Sequence, residues 1–199
     1  MSTVERMSQP MITQPRLTGR KVRLRAVEPT DRQALIGFDR TSRRIGGYRH
    51  WAAHRDGTGD QFAIETVHSR LLVGSMWTVG AGDRFSYGIG IGAQHRRCGY
   101  ASDAITTLLA FMFERHHTCE VGIDGGNVAS LSLHGVLGFR EEGRLRDTEL
   151  LRGGVRYLVR MAITAPEFAA LHSAPRTSNR GRHWRARRGR HWPTALARP

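Results

Sequence analysis

Residues Tyr87 to His116 read as a strand, a short basic loop and a long helix, joined directly, and no other stretch narrows the fold as far. In Ser102–His116, the residues Ile105, Leu108, Leu109, Met112 and Phe113 fall at i, i+3, i+4, i+7 and i+8, which gives the helix one apolar face. In Tyr87–Gly92 every second residue is glycine, so Gly88, Gly90 and Gly92 share one strand face and are expected to leave it bare. A bare face admits a ligand or a second backbone. The basic loop then delivers backbone N–H groups at a helix N-terminus, an arrangement that attracts anionic groups, phosphates above all. The G-x-G-x-G spacing lies on the strand itself, so it is not a dinucleotide fingerprint. No Gly-Lys-Ser/Thr follows, which excludes a Walker loop.

The flanking sequence supplies a sheet for this unit. Lys21–Ala26 alternates Val22, Leu24 and Ala26 with Arg23 and Arg25, a half-buried strand. Pro29-Thr30-Asp31 opens a helix carrying Ala34, Leu35 and Phe38. A short helix around Tyr48–His54 is expected next. Phe62–Val67 and Leu71–Val79 flank His68-Ser69-Arg70 as a hairpin, and Arg84–Ile91 continues the meander. Cys119–Ile123 reads as a strand and Val128–Leu137 as a helix stopped at Gly138. Strands around Phe139–Leu150 and Val155–Ile163 follow, and Ala165–Leu171 closes with a helical turn. The order predicts an α/β (α+β) domain: a mixed, mostly antiparallel central sheet flanked by helices.

Charge divides the chain. Thirty-one basic and 17 acidic side chains give +14, and eight of the arginines lie in residues 175–199, leaving +6 for residues 1–174. Lys21 is the only lysine, so no Schiff-base or phosphate-loop lysine exists elsewhere. Cys98 and Cys119 are too few for a disulfide framework and lack zinc-site spacing, and no metal is expected. No apolar run reaches the ~20 residues that span a bilayer, and Met1–Pro15 carries no signal-peptide core, so a cytoplasmic protein without membrane contact is expected. The predicted organisation is a flexible leader (1–16), one domain (17–172) and an Arg-rich disordered tail (173–199).

A resemblance emerges from two segments. Arg96-x-x-Gly99-x-Ala101 matches the R/Q-x-x-G-x-G/A loop of the GNAT acetyltransferase superfamily. Downstream, Asn127-x-x-Ser130-x-x-x-His134-x-x-Leu137-Gly138-Phe139 matches the second half of that pattern. Glu142–Arg146 and Thr164-x-x-Glu167-Phe168 resemble the subgroup that acetylates ribosomal-protein amino termini and small amines. The likeness runs from about Leu17 to Leu171. It implies acetyl-CoA as the acetyl donor and an amine as the acceptor, in a monomer or homodimer. It also implies that the donor's pyrophosphate sits on the amides of Arg97, Cys98, Gly99, Tyr100 and Ala101, with Arg96 a further donor-binding residue. The pantetheine arm would run beside Ile89, Gly90 and Ile91, with Asn127 and Ser130 on its other side.

The chemistry requires proton handling. An alkylamine of pKa near ~10 is protonated at neutral pH, and freeing its lone pair costs about 4 kcal/mol at pH 7. The site therefore needs a proton acceptor, and a donor near the leaving sulfur. The resemblance places His134 where many family members carry a tyrosine thought to protonate the departing thiolate, and an imidazole can do this near pH 7. For the acceptor, the meander strand offers Tyr87 and no acid between Arg84 and Gly99. Glu65 on the earlier strand is the nearest alternative, and a water-mediated route stays open.

Other patterns carry less. His50 and His54 are spaced i, i+4 but have no third ligand in view. In the tail, Arg180-Gly181-Arg182-His183-Trp184 is echoed by Arg188-Gly189-Arg190-His191-Trp192. That composition suits weak, sequence-independent nucleic-acid contact, or no specific partner at all. The rival to an enzyme is thus a non-catalytic GNAT-like module tethered to nucleic acid by its basic tail.

Overall fold

Alternation in the first described segment sets the face of the sheet that is buried. The computed structural model describes residues 17–43, 59–147 and 156–173. Val22–Ala26 (β1) buries Val22 and Leu24 and points Arg23 and Arg25 the other way. Pro29–Asp31 forms a short 3-10 turn that leads into Arg32–Arg43 (α1). The helix expected around Tyr48–His54 lies outside the described residues, as do His50, His54 and the Arg-rich tail from residue 174 onward; Ser173, expected to open that tail, instead ends the last helix.

Gln61–Thr66 (β2), Leu72–Ala81 (β3) and Arg84–Ile91 (β4) form the expected antiparallel meander. Tyr100–Met112 (α2) follows the basic loop and leads to Thr118–Asp124 (β5). Val128–Val136 (α3), Arg140–Asp147 (β6), Arg156–Thr164 (β7) and Ala165–Ser173 (α4) complete the chain. Periodicity predicts a helix over Ser102–His116, yet α2 starts at Tyr100 and stops at Met112. Phe113 still packs against the core from the turn beyond, so the apolar pattern outlasts the helical hydrogen bonds.

The seven strands make one mixed sheet in the order β1-β2-β3-β4-β5-β7-β6. Every pairing is antiparallel except β4 with β5. That parallel ladder consists of Arg84↔Thr118 and Phe85↔Cys119 and ends there. The rest of β4, from Ser86 to Ile91, extends past its pairing with β5. Ile105, Leu108 and Leu109 of α2 are fully buried against Val22, Ile64 and Met76 of the sheet. Each such side chain contributes about 1.5–3 kcal/mol through its burial. Among the described residues no helix is long and apolar enough to cross a membrane.

Candidate active site

The helix end at Leu137-Gly138-Phe139 explains how His134 is held. Gly138 has φ +93°, its N–H donates to Gly135 O at 3.1 Å, and the Phe139 N–H donates to His134 O at 3.0 Å. This Schellman arrangement closes the last turn of α3 and folds Phe139 back onto the residue five positions earlier. The Phe139 ring meets the His134 imidazole edge-on, with centroids 5.0 Å apart. At the other end of α3 the Asn127 Oδ1 accepts from the Ser130 N–H at 3.2 Å, an N-cap. The Ser130 carbonyl then accepts from His134 Nδ1 at 2.8 Å. A carbonyl only accepts, so Nδ1 carries the proton and Nε2 presents a lone pair.

Tyr87 completes the pair. Its hydroxyl donates to His134 Nε2 at 2.8 Å, across 47 positions of sequence. Tyr87 is 5% exposed and His134 3% exposed. Burial holds the imidazole below its ordinary pKa, opposed by the bond to the Ser130 carbonyl. The ring is thus neutral at neutral pH. Tyr87 lies two residues beyond Phe85, the last β4 residue paired with β5, so the proton-carrying pair sits where the two strands part. Tyr87 and His134 are each legible as candidates in the sequence; their contact is not.

Glu65, the other candidate proton acceptor, is not brought to this pair. The regular β1–β2 register sets Glu65 opposite Arg23, on the face that Arg23 and Arg25 share, and its carboxylate enters that cluster of arginines. Oε1 accepts from Arg23 at 2.7–2.9 Å, and Oε2 accepts from Arg25 Nε at 2.6 Å. Arg25 also grips Asp31 through two parallel bonds of 2.7 and 2.8 Å. Desolvation raises the Glu65 pKa, but the bonds and charges of Arg25 and Arg23 outweigh it and leave the carboxyl below its usual range. A buried carboxylate committed to two guanidiniums is a poor base.

The glycine face also departs from expectation. A Cβ on Gly88 would lie 2.3 Å from the Trp77 indole, and one on Gly92 would lie 2.8 Å from the Phe38 ring. Among the described residues Gly90 alone of the three is open, with nothing within 4 Å of such a Cβ. The expectation of a bare face therefore holds at one glycine only. Two aromatic side chains that the strand pattern gave no reason to place there fill the remainder.

The loop after β4 has the geometry of an anion site. Arg97 and Gly99 both have left-handed backbones, with φ of 64° and 79°. Gly99 is the N-cap of α2 and no side chain caps that helix. The first amides of an α-helix have no acceptor within the helix, and here a glycine leaves them open to a ligand. Cys98, Gly99 and the guanidiniums of Arg96 and Arg97 are exposed around them. These residues fit a pyrophosphate. Among the described residues no three His, Cys, Asp or Glu side chains come together as a metal site.

The site and fold together define an acyl-group transferase: an anion loop after the strand β4, and on that strand a Tyr–His pair where two parallel strands separate. The chain belongs to the GNAT acetyltransferase family, whose acetyltransferase (GNAT) domain matches residues 11–140. Solved structures share the fold. The spermidine/spermine N-acetyltransferase of Vibrio cholerae superposes with a TM-score of 0.62 at 20% identity, over 76% of this chain and 98% of that one. The same Vibrio cholerae enzyme in complex with CoA and spermine gives 0.63 at 20% identity, over 74% and 98%. A GNAT-family acetyltransferase of Bacillus anthracis gives 0.62 at 16% identity, over 74% and 97%. No curated protein sequence matches this one.

Proposed function

We propose that this acetyltransferase moves acetyl from acetyl-CoA directly to a primary amine, a small molecule or a protein amino terminus. The observation that carries the reading is the Tyr87–His134 hydrogen bond, 2.8 Å long, where β4 leaves β5. The Vibrio cholerae relative with CoA and spermine bound supports an amine acceptor on this fold.

Acetyl-CoA supplies an activated thioester whose carbonyl carbon the amine attacks. The loop amides from Arg97 to Ala101 hold its pyrophosphate, with Arg96 and Arg97 adding positive charge. Ile89 to Ile91 of β4 and Asn127 and Ser130 of α3 flank its arm. Tyr87 and His134 handle the proton. In the resting state Tyr87 Oη donates to Nε2. As the amine attacks, the proton it sheds is taken up at Oη while Oη passes its own proton to Nε2; when the thiolate departs, Oη gives a proton to the sulfur and Nε2 returns one to Oη. Tyr87 thus delivers the proton and His134 resupplies it. Burial keeps the imidazole neutral at rest and so ready to accept.

The test is calorimetric titration of the full chain with acetyl-CoA, followed by CoA-release kinetics over monoamines, polyamines and peptides with free amino termini. Saturable binding and turnover with an amine are expected. Tyr87→Phe should lower kcat about a hundredfold while acetyl-CoA affinity changes far less. Failure to bind acetyl-CoA, or equal kcat in the variant, overturns the reading.

A further inference from the structure

Lys21, the chain's single lysine, is tied into the anion loop from 77 positions away. Its Nζ donates to Cys98 O at 2.7 Å, and it lies 2.9 Å from the place a Cβ on Gly99 would occupy. The connection is reciprocal. Asp103, in the first turn of α2, accepts from three consecutive backbone N–H groups: Arg20 at 3.1 Å, Lys21 at 2.7 Å and Val22 at 2.9 Å. The same lysine therefore gives its main chain to the helix and its side chain to the loop.

The carbonyl that Lys21 grips is that of Cys98, the residue flanked by two left-handed ones, Arg97 and Gly99, and it belongs to the Cys98–Gly99 peptide. Arg97 pays a steric cost for that conformation, since it carries a Cβ. In a trans peptide the C=O and the following N–H point in opposite directions. Holding the Cys98 carbonyl toward β1 therefore aims the Gly99 N–H away from Lys21. This is the amide at the open N-terminus of α2.

We propose that Lys21 is a positioning residue for the acetyl donor: its ammonium fixes the Cys98–Gly99 peptide so that the loop amides face the pyrophosphate, with Asp103 locking β1 to the helix behind it. The inference rests on the reading that this loop binds acetyl-CoA. It assigns to the lone lysine a role in donor affinity rather than in the chemical step.

The experiment compares full-length wild type, Lys21→Met and Lys21→Arg by acetyl-CoA calorimetry at low and high salt, with steady-state kinetics and thermal melts. Lys21→Met is expected to weaken acetyl-CoA binding and raise its KM about tenfold, to move kcat much less, and to melt close to the wild type. Lys21→Arg, which can still donate to the Cys98 carbonyl, should recover most of the affinity. The salt dependence of the methionine variant should parallel that of the wild type, because the lost bond is to a carbonyl and not to a phosphate. Unchanged affinity in Lys21→Met overturns the proposal. So does a loss of affinity matched by an equal loss of thermal stability. A marked fall in salt dependence also overturns it, by showing that the ammonium pairs with phosphate directly. If the wild type itself fails to bind acetyl-CoA, the proposed function fails too; if the wild type binds and Lys21→Met binds equally, this inference alone fails.

Discussion

Two buried polar groups, one on β1 and β2 and the other between β4 and α3, are built on opposite principles. Around Arg25, two guanidiniums and two carboxylates are joined by bidentate and short charge-assisted bonds, and each carboxylate is held in its ionised form. Around His134, a neutral imidazole and a phenol share one proton, and reversing the direction of their bond needs only a second proton. The first group has every charge answered and nothing to give. The second is satisfied in either of two proton arrangements. A buried carboxylate found near a proposed site is therefore a weak clue to a base; what matters is whether its partners leave it able to take a proton.

The sharpest way to break this comparison is Arg25→Ala. It leaves Asp31 and Glu65, 6% and 4% exposed, without the guanidinium that joins them. Removing one partner of a buried charge network costs about 3–4 kcal/mol. Urea unfolding should show that loss while kcat of the folded protein stays near that of wild type. A large fall in kcat with stability intact would place the Arg25 group in the chemistry and remove the distinction.

Much of this was legible in the sequence, and the limits have physical causes. The α2 face was legible because five apolar residues keep helical spacing, and the end of α3 because Gly138 answers a left-handed position that other residues adopt at a cost. Strand alternation already set Arg23 and Arg25 opposite Val22 and Leu24. The fate of Glu65 was not legible, because it depends on which residue of β1 the β1–β2 register sets opposite it, Arg23, and no local pattern announces that register. The same holds for Trp77 over Gly88, which follows from a cross-strand pairing. Asp103 is a plausible acid for a helix's first turn, but its three N–H donors lie more than 80 positions earlier. The parting of β4 from β5 follows from pairing choices across the whole sheet, including the insertion of β7 between β5 and β6.

Acid sharpens the same comparison with a smaller effect. His134 has its pKa lowered in the folded state, so folded protein binds fewer protons at this site than unfolded chain. Its contribution to stability is level above the unfolded value of about 6.5 and falls as pH drops below it, by at most about 1.4 kcal/mol per pH unit. Asp31 and Glu65 also have lowered pKa values. Their contribution is complete above the unfolded carboxylate values of about 3.9–4.3 and is lost only as pH falls below them. Chemical denaturation measured from pH 7.5 to 3 should therefore show two separate declines. His134→Gln should flatten the upper one and leave the lower in place. A variant that leaves the upper decline unchanged would mean that other groups produce it.

The smallest effect concerns Asn127, which the structure uses as a helix cap and the proposed function also places beside the donor. Its Oδ1 accepts from the Ser130 N–H, so Asn127→Ala should destabilise the protein by about 1 kcal/mol, while Asn127→Asp keeps the acceptor and should cost less. Donor binding should rank the two variants in the reverse order. Aspartate loses the side-chain NH2 and sets a negative charge beside an anionic donor, whereas alanine only removes the amide. Melting curves and acetyl-CoA titrations on both variants read the two rankings independently. If stability and affinity instead follow one order, Asn127 acts through the start of α3 alone. In that case its influence on the site runs through Ser130, whose carbonyl sets the tautomer of His134.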